Sequence, residues 1–114
     1  MALKISALQN GSINVLEVKG SLIGGEETDE MSNAVADMIE RGNKKLIIDL
    51  SKVDYLNSTA IGALVKAHTT YKKAGGNVKL CGVNKNINNI FVITKLTMVF
   101  DVVDSKDDAA KSFQ

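Results

Sequence analysis

Proline is absent from the 114 residues, and cysteine and histidine occur once each. The missing proline removes cis-proline turns and proline-marked linkers from consideration. A lone cysteine, Cys81, excludes an internal disulfide and any cysteine-rich metal site. It lies in "NVKLCGV", where it reads as a small buried hydrophobe and not as a redox centre. Charge of one sign is also lacking: the net charge of +1 gives no field that would draw nucleic acid or an anionic membrane. No apolar run approaches the length of a bilayer span, and "MALKISALQNG" holds no signal-peptide core. Repeats and low-complexity segments are missing too. The expectation is one cytoplasmic domain over residues 1–114, with no membrane insertion and no direct nucleic-acid partner.

Hydrophobic residues make up 45% of the chain and charged residues 24%, a balance that supports one core. "LKISALQ" and "INVLEVKG" flank Asn10-Gly11-Ser12, a strong hairpin signal because Asn and Gly both tolerate positive φ. After a bend at Gly24-Gly25, Met31, Ala34, Val35, Met38 and Ile39 recur at helical spacing. Glu26, Glu27, Asp29 and Glu30 crowd the start of that helix, as its dipole favours, and Arg41-Gly42 ends it. "KKLIIDL" reads as a strand covered on both faces. "SKVDYLN" reads as a turn, and residues 58–74 as a helix closed by Gly75-Gly76. "NVKLCGV" is another buried-type strand, and Asn84 caps a third helix through "KNINNIFVITK", with Ile87, Ile90 and Phe91 inward. "MVFDVV" reads as the last strand and "SKDDAAKSF" as a polar closing helix. The order ββαβαβαβα implies an α/β single domain, a small mixed β-sheet with helices packed on it.

The chemistry turns on "YLNSTAIGALVKAH", where Ser58 and Thr59 stand at a helix start. A catalytic serine needs a base within hydrogen-bond reach. The one histidine, His68, lies roughly 15 Å away along the same helix at about 1.5 Å per residue. "Leu-Asn-Ser-Thr-Ala" also lacks the glycines of a nucleophile elbow. His68 falls on the face of Ile61, Leu64 and Val65 and reads as a satisfied, partly buried histidine. "GGEET" has no Gly-Lys-Ser/Thr to hold a phosphate as a P-loop does. The two matches to a glycosylation sequon, at Asn10 and Asn57, carry no meaning without secretion. Neither an enzyme nor a metal or cofactor site is expected.

The plain reading of Ser58 is a helix N-cap, worth about 1 kcal/mol. That leaves the small residues Ala60, Gly62 and Ala63 unexplained. Gly62 costs the helix about 1 kcal/mol relative to alanine, so a neighbouring strand or a partner is expected to approach closely there.

The run "LIIDLSKVDYLNSTAIGALVKAHTTYKKAGGNVKLCGV", with "VITKLTMVFDVV" after it, resembles the STAS domain of bacterial anti-sigma factor antagonists. The likeness spans essentially the whole chain. The family's usual signature, Asp-Ser-Ser/Thr-Gly-Leu-Gly, carries a first serine that a partner kinase phosphorylates. That serine falls on Ser58, the second hydroxyl on Thr59, the apolar position on Ile61 and the final glycine on Gly62. Asn57 replaces the usual acidic residue, Ala60 replaces a glycine, and Ile23 with Gly24-Gly25 stands where many antagonists carry an aspartate.

The resemblance implies a STAS-like fold and a phosphoacceptor at Ser58, with Thr59 as second choice. It implies a partner-binding surface of Gly24, Gly25, Asn57, Ser58, Thr59, Ala60, Ile61 and Gly62. The partners would be a serine-kinase anti-sigma factor with its bound nucleotide, and a phosphatase. Two rivals are a non-phosphorylated STAS adaptor in a signalling scaffold or beside a transporter, and a small nucleotide- or ligand-binding protein using Gly24-Gly25.

Overall fold

The alternating runs at the start of the chain form an antiparallel hairpin, Leu3 opposite Val18 and Leu8 opposite Ile13. The computed structural model describes residues 3–8 and 11–113. Asn10 of the expected turn lies outside the described residues; Gly11 beside it has φ +86°, which a Cβ would disfavour. The strands are β1 (Leu3–Leu8), β2 (Ile13–Leu22), β3 (Lys45–Leu56), β4 (Asn77–Cys81) and β5 (Asp101–Val103). They stand in sequence order in one sheet, β1 antiparallel to β2 and the remainder parallel. The helices are α1 (Glu26–Glu40), α2 (Ser58–Lys73), α3 (Lys85–Ile93) and α4 (Lys106–Ser112). The element order ββαβαβαβα is the one the sequence implies.

Side chains on a strand alternate between faces, and both faces of this sheet are covered. Leu46, Ile48 and Leu50 of β3 join Met31, Val35 and Met38 of α1, Leu64 and Tyr71 of α2, and Ile87 and Phe91 of α3. Ile47, between them, joins Ile13, Val15, Cys81 and Ala109 of α4 on the opposite face. Double coverage is why "KKLIIDL" is continuously apolar instead of alternating.

Three expectations change. "SKVDYLN" is not a turn: β3 runs on to Leu56, paired with β2 as far as Leu22↔Leu56. This extension outruns β4, which ends at Cys81, so only Val53 and Leu56 of it are buried and its other residues are polar enough to mimic a loop. "MVFDVV" contributes only Asp101–Val103 to the sheet; Leu96–Met98 is a single 3₁₀ turn entered through Lys95 at φ 62°. The short β4 sets that limit, because the β5 register runs only from Lys79↔Asp101 to Cys81↔Val103. The third helix stops at Ile93, and Ile90 is half-buried while Ile87 and Phe91 are buried.

Candidate functional site

Ser58 is the first residue of α2 and is exposed. The cap itself is Asn57, a correction to the reading of Ser58 as N-cap. Asn57 keeps an extended backbone, φ −100° and ψ 179°, and its Oδ1 accepts from the Ala60 N–H at 3.0 Å. Asparagine and serine are comparable caps; the position is decided by where β3 ends. Relieved of capping, the Ser58 hydroxyl makes no hydrogen bond with the described residues and faces solvent.

Around it the small residues divide by face. Ala60 turns inward and is fully buried, which lets the first turn of α2 lie close to the sheet. Asn57 and Ile61 are half-buried; Thr59 and Gly62 are exposed. Gly62 follows Ser58 by four residues and so lies on the same face, one turn further along. A Cβ built at Gly62 meets nothing within 4 Å. The neighbouring strand therefore does not account for that glycine.

The β2–α1 connection forms the other half of the surface. Gly24 adopts φ +84°, and a Cβ there would come within 2.8 Å of Thr59 Cγ2. Its N–H donates to Thr28 Oγ1 at 3.0 Å. Ile23 is 56% exposed beside it, and Gly25, also exposed, is the N-cap position of α1 without a side-chain cap bond. The structure thus brings Gly24, Ser58, Thr59 and Gly62 onto one shallow face.

Charge is distributed unevenly there. The first turn of α2 has no acidic residue, whereas that of α1 carries Glu26, Glu27 and Asp29. Beyond the Ala60 N–H that Asn57 caps, the N–H groups and dipole at the start of α2 meet no acidic side chain of their own turn, a place that tolerates an added anion.

The remaining candidates lie elsewhere. His68 packs its ring edge on Phe100, centroids 5.8 Å apart, and its buried Nδ1 finds no hydrogen-bond partner among the described residues, unlike the satisfied histidine expected. Cys81 is buried, and burial, with Asp49 adding to it, pushes its thiol up to about 12. A protonated buried thiol has no redox reactivity at neutral pH. No group of three or more potential metal ligands occurs among the described residues, and none of their helices is long and apolar enough to cross a membrane.

Sequence reasoning missed the tie between Asn57 and the β2–α1 loop, because residues 23 and 57 become neighbours only when β2 and β3 pair. It also missed Tyr71, whose buried ring sends its hydroxyl to Asn43 Oδ1 at 2.7 Å.

Known proteins share this architecture. A family model described as STAS domain matches residues 4–109. BtrV of Bordetella bronchiseptica, described as a candidate anti-sigma factor antagonist, is 19% identical over 93 residues, 82% of this chain and 80% of BtrV. A candidate anti-sigma factor antagonist from Thermotoga maritima superposes with a TM-score of 0.87 at 19% identity, over 96% of this chain and 92% of that one. Bacillus SpoIIAA in its phosphorylated form superposes at 0.77 with 12% identity, over 99% and 100% of the two chains.

Proposed function

The chain belongs to the STAS domain family, and from that membership we propose that it is an anti-sigma factor antagonist switched by phosphorylation of Ser58. Unmodified, it docks the Ser58 face on a serine-kinase anti-sigma factor and so frees the sigma factor. The kinase and its nucleotide supply the catalysis; this chain is substrate, not enzyme. A phosphatase returns the phosphorylated form to the pool. These steps take place in the cytoplasm.

The observation that carries the reading is the pairing of an exposed Ser58, whose hydroxyl makes no hydrogen bond with the described residues, with Gly62 one turn away. Gly62 lowers helix stability by about 1 kcal/mol relative to alanine, yet no described neighbour occupies the space its missing Cβ leaves. A flat approach for a second protein supplies the missing reason. Likeness to SpoIIAA, solved in unphosphorylated and phosphorylated forms, supports the same choice.

Phosphorylation adds about −1.5 to −2 charge. At the start of α2 that charge faces free N–H groups, so the domain stays folded. The interface suffers instead, because a dianion must be desolvated or must meet acidic groups. A loss of about 3 kcal/mol weakens binding more than a hundredfold.

Ser58→Ala is expected to bind the kinase and accept no phosphate, and Ser58→Asp to bind at least tenfold more weakly with unchanged circular dichroism. Incubation with ATP and candidate kinases, followed by phosphopeptide mapping, checks the acceptor. Label on Thr59 alone would move the site by one residue. Complete absence of label with every kinase that binds the chain would leave the non-phosphorylated adaptor.

A further inference from the structure

Asn57 bonds to two segments at once. Its Oδ1 accepts from Ala60 N at 3.0 Å and caps α2. Its Nδ2 donates to the Ile23 carbonyl at 2.8 Å, and its backbone N–H donates to the Leu22 carbonyl at 3.1 Å. The amide orientation is fixed by these partners, since one is a donor and the other an acceptor. Few side chains can replace this one. Serine accepts from the N–H of the first turn but is too short to reach across to the loop. Aspartate, usual here in the family, caps equally well but turns a carboxylate oxygen toward the Ile23 carbonyl, acceptor against acceptor. Beyond the hydrogen bond, Gly24 lies so close to Thr59 that a methyl group would not fit between them. The loop and the helix start are thus joined by a donor bond on one side and the close approach of Gly24 to the Thr59 side chain on the other.

We propose that Asn57 is a positioning residue for the switch. Its amide locks the Ile23–Gly25 loop onto the first turn of α2, so that Ile23 and Ser58 form one preformed face before any partner arrives. Preforming that face spares the partner the cost of ordering the loop. The inference rests on Ser58 being the docking centre, but its first test needs no partner.

Asn57→Ser and Asn57→Asp both retain an acceptor for Ala60 N and both lose the donor to Ile23. The amide of Gly24, bonded to Thr28, reports on the loop by hydrogen exchange in the purified full-length chain. Expected in both variants is exchange about tenfold faster at Gly24, with Ala60 and Ile61 amides within twofold of wild type and circular dichroism unchanged. Unchanged exchange at Gly24 overturns the proposal. Acceleration in Asn57→Asp alone overturns it too, by marking a charge effect, and so does equal acceleration at Ala60, which marks a lost cap. In an extract of the source cells with ATP, intact mass is expected to show Ser58 of Asn57→Ser labelled several-fold more slowly than wild type. Equal rates would overturn the positioning role. An extract that labels neither protein counts against the phosphorylation reading, and the exchange result then decides the latch by itself.

Discussion

At the scale of single residues, two glycines a short distance apart do opposite work. Gly62 occupies a helical conformation with open space where a Cβ would go. Gly62→Ala is therefore expected to raise stability by about 1 kcal/mol through helix propensity, read as a higher urea midpoint, while weakening kinase binding by about tenfold. Unchanged binding would show that the flat surface is not used. Gly24 holds φ +84° against Thr59, so Gly24→Ala is expected to lower stability by about 1–3 kcal/mol through backbone strain and crowding. The start of α2 at Ser58 was legible from sequence, and so was the anomaly of a glycine at position 62 inside that helix. The identity of the cap was not legible: Asn57 and Ser58 are both good caps, and only the reach of β3 to Leu56 settles which one stands outside the helix.

At the scale of elements, α4 shows how a polar segment earns its place. Ser105 caps it, and Ala109 enters the second, smaller core with Ile13, Val15, Ile47 and Cys81. Lys79 of β4 fastens this face: its Nζ lies 3.0 Å from Asp101 Oδ2 and 4.9 Å from the centroid of the Phe113 ring. The Lys79 side chain is only 9% exposed and that of Asp101 56%. Lys79→Met, which keeps an apolar stem and removes the charge, is expected to cost less than Asp101→Ala, which strands a mostly buried ammonium. We expect about 1 kcal/mol between them in chemical denaturation. The Lys79 hydrogen bond holds the Asp101 carboxyl below its ordinary value. That contribution is present above the unfolded value near 4 and is lost as pH falls through the folded one, so it should vanish in Lys79→Met. The sequence announced α4 as a closing helix, but its polarity hid the face it covers. Likewise "SKVDYLN" carried the composition of a turn because a strand that outruns its neighbour meets water.

For the whole molecule, the two cores share a vulnerability to base. Burial raises the Cys81 thiol to about 12 and pushes the Tyr71 hydroxyl up as well. Both groups stay protonated in the fold where the unfolded chain would release protons, so the folded state binds more protons above roughly pH 8.5. Stability is full below that pH and declines as pH rises toward 12. Urea midpoints measured from pH 7 to 11 should fall, and Cys81→Ala should flatten the early part of the decline even though its cavity lowers stability at every pH. A thiol reagent at neutral pH should leave Cys81 unmodified until the domain unfolds. A flat profile to pH 11 in the wild-type chain would contradict the burial of both groups.

Periodicity, turn residues and caps act over a few neighbouring residues, and the sequence alone therefore determined the order of elements, the doubly covered strands, the helix that begins at Ser58 and the distance that separates Ser58 from His68. Which residues meet across the chain depends on strand pairing and on which face each helix takes. Pairing of β2 with β3 is what carries Ile23 to Asn57 and Gly24 to Thr59. Those contacts join residues more than thirty positions apart, where no local pattern reaches, so only the tertiary structure decided them.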